Sequence, residues 1–320
     1  MDHKLYLTDP GIFKKNLKFF HAGGTLVSDQ VTLSRLSKLR VPPAWENVWY
    51  ASNKNCHIQV YGTDTSGKKQ YILSERWVNS AKSQKYKNMK TFIRNLPSFK
   101  NKIKLNFNTF SFTRENLIFL LFNLLIDTHV RVGNEIYAET NETYGLTTLR
   151  QKHLKLENGI FKFVFTGKSK IKHSIDIPPI YNCLIKQLIL PQKNKLLFSY
   201  KEGSEIKYIN SEDLNNFLKE NMGKDFTCKD FRTYSANILF IKAFKKFTKS
   251  ASVKASNLSS TRVKSVILKC IDESAKQLGH TRSISRKSYI SDSLIDYCLS
   301  SFDNASNCST KSLLSKVWSI

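Results

Sequence analysis

Residues 117–126 read LIFLLFNLLI, ten positions with Asn123 as the single polar side chain. A helix through this stretch has no polar face to offer water, so it belongs at the centre of a domain, covered on all sides. Thr113, just ahead of the run, is a residue type that caps a helix start by accepting a hydrogen bond from a backbone N–H. Ten apolar residues are far short of the ~20 needed to span a bilayer. The run therefore predicts a buried helix and no membrane span.

The chain has 320 residues, enough for about two domains at roughly 100–200 residues each. Hydrophobic residues make up 41% and aromatics 12%, which supports a packed core. The formal net charge of +26 works against a compact state unless a polyanion is the usual partner, and nucleic acid is the leading one. The start, MDHKLYLTDP, carries no apolar secretory core. The location expected is cytoplasmic or wherever the genome is held, and not secreted. Cys56, Cys183, Cys228, Cys270, Cys298 and Cys308 are scattered with no C-x-x-C pair, so they read as free thiols and not as a disulfide framework or zinc site.

Two domains are expected: a β-rich one over residues 1–81 and a mainly α-helical one over 82–320. In the first, CHIQVYGTD and KKQYILSERW flank the turn cluster TDTSGKK, predicting a hairpin over 57–77. Residues 80–90, SAKSQKYKNMK, read as a polar linker. The helical pattern then begins at Thr113 and continues through EIYAE. HLKLENGIFKFVFTGKSKIKHSIDIPP reads as three strands broken at ENG and TGKSK, with Lys168 at the tip of the second turn. From about residue 180 onwards the chain reads as helical. FIKAFKKFTKSASVKAS is expected to be an exposed helix-to-loop region, and the stretch from 301 to 320 either a helix or frayed. The fold class is α+β: a small antiparallel β domain joined to a larger α domain with an inserted three-stranded sheet.

LGHTRSISRKSYI places His280 and Tyr289 among Arg282, Arg286 and Lys287. Upstream stand Arg131 in HVRVGNE, Lys168 in FTGKSK, and Arg232 three residues after Lys229 in CKDFRTYSAN. Taken singly, each has a plainer role. With 51 Lys and Arg, one cation is ordinarily solvated; Tyr289 is one of 13 tyrosines, and His280 follows a glycine as capped histidines do. Together, the types suit transfer of a phosphodiester to a side-chain oxygen. Two guanidiniums fork onto the non-bridging oxygens, and losing one such donor typically costs ~10²–10³ in rate. An imidazole supplies a third donor. A lysine can protonate the leaving oxygen, and a phenol can hold the phosphoryl group covalently, so that rejoining needs no ATP. No carboxylate cluster has metal-ligand spacing, so no metal, Mg²⁺ included, is expected.

The text RVGNEIYAETNETYGLTTLRQKHL, FTGKSK, KDFRTYSAN and LGHTRSISRKSYI, with YGTDTSGKKQYIL nearer the start, resembles the small type IB DNA topoisomerases of poxviruses, giant viruses and some bacteria. The likeness covers roughly residues 55–290. It implies Tyr289 as the nucleophile for a 3′-phosphate, Arg131 and Arg232 on the non-bridging oxygens, His280 donating to one of them, and Lys168 protonating the 5′-oxygen. Lys229 and Asn237 would support the site. Lys68, Lys69, Gln70, Tyr71, Tyr137 and Arg282 would contact DNA. The partner implied is double-stranded DNA, clamped by a monomer and relaxed without ATP or metal through a site that assembles on DNA. Arg282 replaces a proline of the poxvirus proteins, Ser169 an acidic residue, Asn134 a lysine and Leu73 a tyrosine. Those departures spare the chemistry but put a CCCTT-like site preference in doubt.

Two rivals share some of these features. Tyrosine recombinases carry a similar set, but their second motif normally opens with His where this chain has Lys229, and they usually begin with a helical domain. A DNA-packaging protein would explain the charge alone and would form no covalent adduct.

Overall fold

The β-branched and aromatic runs near the N-terminus pair into one five-stranded sheet, of which the expected hairpin is only an edge. In the computed structural model, which describes residues 5–189, 195–250 and 259–318, the chain divides into two units, Met1–Lys85 and Tyr86–Ile320. The first holds α1 (Leu5–Thr8), β1 (Ile12–Lys15), β2 (Lys18–His21), α2 (Gln30–Lys38), β3 (Glu46–Tyr50), β4 (Ile58–Thr63) and β5 (Lys69–Leu73). The sheet order is β2-β1-β3-β4-β5, with every pairing antiparallel. Its core gathers Ile12, Phe19, Val27, Leu36, Tyr50 and Val60. Arg35 ties α2 to the sheet, donating to Gln59 Oε1 at 2.7 Å and to the Ala51 carbonyl at 2.6 Å. In the β4–β5 turn, Asp64 Oδ1 accepts from the N–H groups of Ser66 and Lys68, and Gly67 supplies the left-handed φ of 76°.

The hairpin ends at Leu73, and Trp77 is already helical. Ser74 Oγ accepts from the Trp77 N–H at 3.3 Å, opening α3 (Glu75–Lys102). The whole of the expected linker, 80–90, lies inside this helix. It holds no Gly or Pro, and its Ala, Lys, Gln and Met residues propagate helix well. Tyr86 and Met89 begin an apolar stripe continued by Phe92, Leu96 and Phe99, which is buried from Met89 onward. The spacing of those few apolar residues mattered more than their number.

In the second unit, α4 (Arg114–Thr128) starts where Thr113 Oγ accepts from the Asn116 N–H. Leu117, Leu120, Leu121, Phe122 and Leu124 are fully buried. Phe122 meets Phe99 edge-on at 5.0 Å, and Phe92 meets Phe231 in the same way at 5.0 Å. The helix does not run on through EIYAE. His129 turns left-handed at φ 56°, and α5 (Glu135–Thr140) is a separate turn-and-a-half. The strands β6 (Leu154–Glu157), β7 (Ile160–Thr166) and β8 (Lys172–Asp176) form the expected three-stranded sheet in that order.

After α6 (Asn182–Gln187) the expected helical stretch is interrupted by a hairpin, β9 (Ser199–Glu202) and β10 (Glu205–Tyr208). Then follow α7 (Ser211–Met222), α8 (Cys228–Ser250), α9 (Ser260–Leu278), α10 (Arg282–Ser288), α11 (Asp292–Ser300), α12 (Phe302–Asn307) and α13 (Thr310–Trp318). The end of α8 is not simply exposed. Phe240, Ile241 and Phe244 are buried while Lys242 and Lys246 face water, as a 3.6-residue period distributes them. The remainder of that expectation, 251–258, lies outside the described residues, as do positions 319–320 of the tail. Among the described residues no helix is long and apolar enough to cross a membrane.

Candidate active site

Two glycines fix the backbone of Arg131 between α4 and α5. A Cβ on Gly145 would lie 2.5 Å from both the Arg131 carbonyl and the Gly133 nitrogen, so the two segments can touch only because residue 145 has no side chain. The Leu146 N–H donates to the Arg131 carbonyl at 2.7 Å, and the Thr147 N–H to that of Val132 at 2.6 Å. Gly133 itself is left-handed, with φ 112°.

Arg232, in the first turns of α8, is anchored to the ends of two other helices. Its Nη1 donates to the His129 carbonyl at 2.8 Å, its Nη2 to the Leu278 carbonyl, and its Nε to His280 Nε2 at 2.9 Å. Helix C-termini leave carbonyls without intrahelical partners, and here those of α4 and α9 hold a guanidinium. His280 follows Gly279, the left-handed cap of α9.

Tyr289 sits at the end of α10. Its ring stacks on His280 with centroids 4.4 Å apart and planes 13° apart, and its hydroxyl is close enough to the guanidiniums of Arg131 and Arg232 to raise the proton affinity of both. Its backbone is held as firmly. The fully buried Asn237 donates from Nδ2 to the Tyr289 carbonyl at 3.0 Å and accepts at Oδ1 from the Ser291 N–H at 2.9 Å. The Tyr86 hydroxyl donates to the Ile290 carbonyl at 2.8 Å. Tyr86 escaped the sequence reading because it lay in the stretch taken for a linker; only its place in the α3 stripe could have marked it.

Among the described residues, neither Arg131 nor Arg232 pairs with a carboxylate. Burial lowers the proton affinity of both, and Arg131 beside it lowers that of Arg232 further. A guanidinium stays charged in proteins regardless. Burial, then Arg232 and Arg131, push His280 down to about 3. The imidazole is therefore neutral near pH 7. Since Nε2 accepts from Arg232, its proton sits on Nδ1, 3.3 Å from Ser285 Oγ. The resting His280 is thus occupied by Arg232 rather than poised as a donor.

Lys168 is exposed at the β7–β8 turn, where Ser169 (φ 63°) and Lys170 (φ 58°) are both left-handed. It lines a narrow pocket with Arg131, His173, Arg232 and His129. Four expected catalytic side chains (Tyr289, Arg131, Arg232 and His280) thus cluster together, and Lys168 stands at their edge. Lys229 is exposed and is not in this pocket. Arg282 forks onto Asp272 of α9, and Asn134, in place of a lysine, caps α5 through the Tyr137 N–H. Tyr137 is 44% exposed. On the first unit, Lys68 lies in the β4–β5 turn, Gln70 Nε2 donates to Asp64 Oδ2 at 2.7 Å, Lys69 lies over the Tyr61 ring at 3.9 Å, and Tyr71 is 49% exposed. Among the described residues, no three His, Cys, Asp or Glu side chains are placed to share a metal.

Comparison with known proteins gives this geometry its context. The family described as eukaryotic DNA topoisomerase I, catalytic core, matches residues 74–304, and the bacterial DNA topoisomerase IB N-terminal domain matches 16–64. The fold is that of a DNA topoisomerase. A DNA topoisomerase 1B of Acanthamoeba polyphaga mimivirus is 36% identical over 278 residues, 85% of this chain and 80% of that protein. The DNA topoisomerase 1B of vaccinia virus (strain Copenhagen) is 26% identical over 246 residues, 73% of this chain and 70% of the relative. The chain belongs to the type IB DNA topoisomerases. Among solved structures, the XerH site-specific recombinase bound to difH substrate aligns at a TM-score of 0.33 and 15% identity, over 75% of this chain and 59% of that one, too remote a likeness to add to this.

Proposed function

We propose that the chain relaxes supercoiled duplex DNA by a transient single-strand break through Tyr289, acting as a monomer without ATP or metal. The observation that carries this reading is one phenol stacked on an imidazole beside two half-buried guanidiniums. Tyr289 Oη attacks a backbone phosphorus and gives its proton to solvent. The bond from phosphorus to the 5′-oxygen breaks, and Lys168 protonates that oxygen. The product is a 3′-phosphotyrosine and a free 5′-hydroxyl, a polarity that the family resemblance supplies. Torsion turns the free end, and the reverse attack reseals the strand with no net change in bonds.

Arg131 and Arg232 take the charge that develops on the non-bridging oxygens. An arriving phosphate competes for the Nε–H that Arg232 gives His280, and its negative charge raises the proton affinity of the imidazole. Nε2 then turns from acceptor to donor. Asn237 supports the nucleophile through its backbone, and Lys229 has the reach of an exposed phosphate contact. Lys68, Lys69, Gln70 and Tyr71 on one unit, and Tyr137 and Arg282 on the other, are the proposed DNA contacts. Gln70 and Arg282 must first leave Asp64 and Asp272.

The test is denaturation with SDS after incubation with plasmid DNA in EDTA and no ATP. The wild type relaxes the plasmid and leaves a covalent adduct mapping to the Tyr289 peptide, and Tyr289→Phe does neither. Relaxation by Tyr289→Phe, or an adduct elsewhere, would remove the assignment.

A further inference from the structure

His173 lines the pocket beside Lys168 but has no role in the proposed reaction, and it touches the backbone next to two of the expected catalytic residues. On β8 it stands opposite Phe165 of β7, and the two rings stack with centroids 5.1 Å apart and planes 25° apart. One side of the imidazole lies against Gly167, where an added Cβ would come within 2.7 Å of its Cδ2 and Nε2. The other lies against Gly279, where a Cβ would come within 2.5 Å of its Cε1. Each glycine immediately precedes an active-site residue, Gly167 before Lys168 and Gly279 before His280. The left-handed φ of 60° at Gly279 has its own use as the α9 cap. Gly167, at φ −100°, has no conformational need to be glycine. The ring of His173 is what requires it.

We propose that His173 is a positioning residue for Lys168: its ring is the spacer that sets the β7–β8 hairpin, and the lysine on it, at a fixed distance from the turn carrying His280. The proposal rests on the assignment of Lys168 as the group that protonates the 5′-oxygen. A packing role fits the surroundings, since neither ring nitrogen makes a hydrogen bond among the described residues while both ring edges meet glycine backbone. Lys168 is otherwise exposed on a turn with two left-handed residues, so little else fixes where its ammonium stands. A proton donor must come within hydrogen-bond reach of its acceptor, and a misplacement of ~1 Å can cost ~10²-fold.

The experiment is single-turnover cleavage of a duplex built on the cleavage site mapped with the wild type. Two versions are used, one with the ordinary 5′-oxygen leaving group and one with sulfur in its place, which departs without needing a proton. His173→Ala should cleave the oxygen substrate about 10- to 100-fold more slowly than wild type, while on sulfur the deficit shrinks to less than about threefold because the proton donor is no longer needed. Gly167→Ala should be slow in the same way, and adding it to His173→Ala should cost little more, because the methyl group then has no ring to push against. His173→Phe keeps a flat ring and should recover most of the rate.

Three results would overturn the proposal: wild-type cleavage by His173→Ala, an undiminished deficit on sulfur, or His173→Phe as slow as His173→Ala while equally well folded. The wild type is its own control. If it forms no adduct on the oxygen substrate, it is the assignment of the reaction that fails, a different outcome from any of these.

Discussion

Gly145 shows how a residue without a side chain controls one with a long reach. Its φ of −151° is open to any amino acid, so Gly145→Ala is felt through the 2.5 Å approach to the Arg131 carbonyl and to the Gly133 nitrogen. The substitution should push Arg131 off station and slow adduct formation by about 10- to 100-fold. Filter binding of uncleaved duplex should stay within about threefold of wild type, because phosphate contacts spread over many cations carry affinity. Equal loss of binding and cleavage would mean that the change unfolds more than this contact. The chemical types at the site were legible in the sequence because phosphoryl transfer restricts them to so few. The contacts of Asn237 and Tyr86 with the backbone around Tyr289 were not, since a side chain that holds a carbonyl leaves no spacing signature. His173 was passed over for the same reason, as one of 7 histidines whose significance lies in what packs against it.

Elements were read well where period and punctuation agreed. The buried α4, its Thr113 cap and the three strands β6 to β8 all follow from runs bounded by clear turn residues. Reading failed where composition outweighed period, as in the basic first half of α3. It failed again where four-residue strands were too short to show alternation, as in β9 and β10. The β7–β8 turn carries a local conflict that can be tested. Left-handed backbone is uncommon for residues with side chains and is unfavourable for β-branched ones. Ser169→Val should therefore destabilise the hairpin by ~1–2 kcal/mol and slow cleavage of an ordinary phosphodiester, whereas Ser169→Gly should cleave at least as fast as wild type. Cleavage rates of the two variants measured side by side decide the matter, and equal rates would mean that the turn does not hold Lys168 in its working position.

At the scale of the molecule, clustered cations and buried imidazoles make stability depend on pH. Burial lowers His280 to about 3 and His153 to about 4, and it also lowers His129 and His173. All four titrate near 6.5 once unfolded, so below that pH the unfolded chain binds more protons than the folded one. Their contribution is complete above pH 6.5 and is lost as the pH falls toward 4 and 3. The urea midpoint should fall steadily from pH 7.5 to pH 5, and a flat profile would mean that these rings are solvated. The net charge of +26 points to a polyanionic partner, but it gives no hint of this acid sensitivity, which depends on burial.

The sequence around Tyr289 is closed on both sides. α10 packs on α9 before it. After it, α11 packs on the same helix and buries Leu294, Ile295 and Cys298. A tyrosine on a loose terminal arm could be lent to a neighbouring molecule, but this one is stitched into its own. Under the proposed function, each copy supplies its whole reactive set from one polypeptide. Mixing Tyr289→Phe with Arg131→Ala in equal amounts should leave the plasmid supercoiled, because neither protein can complete the other.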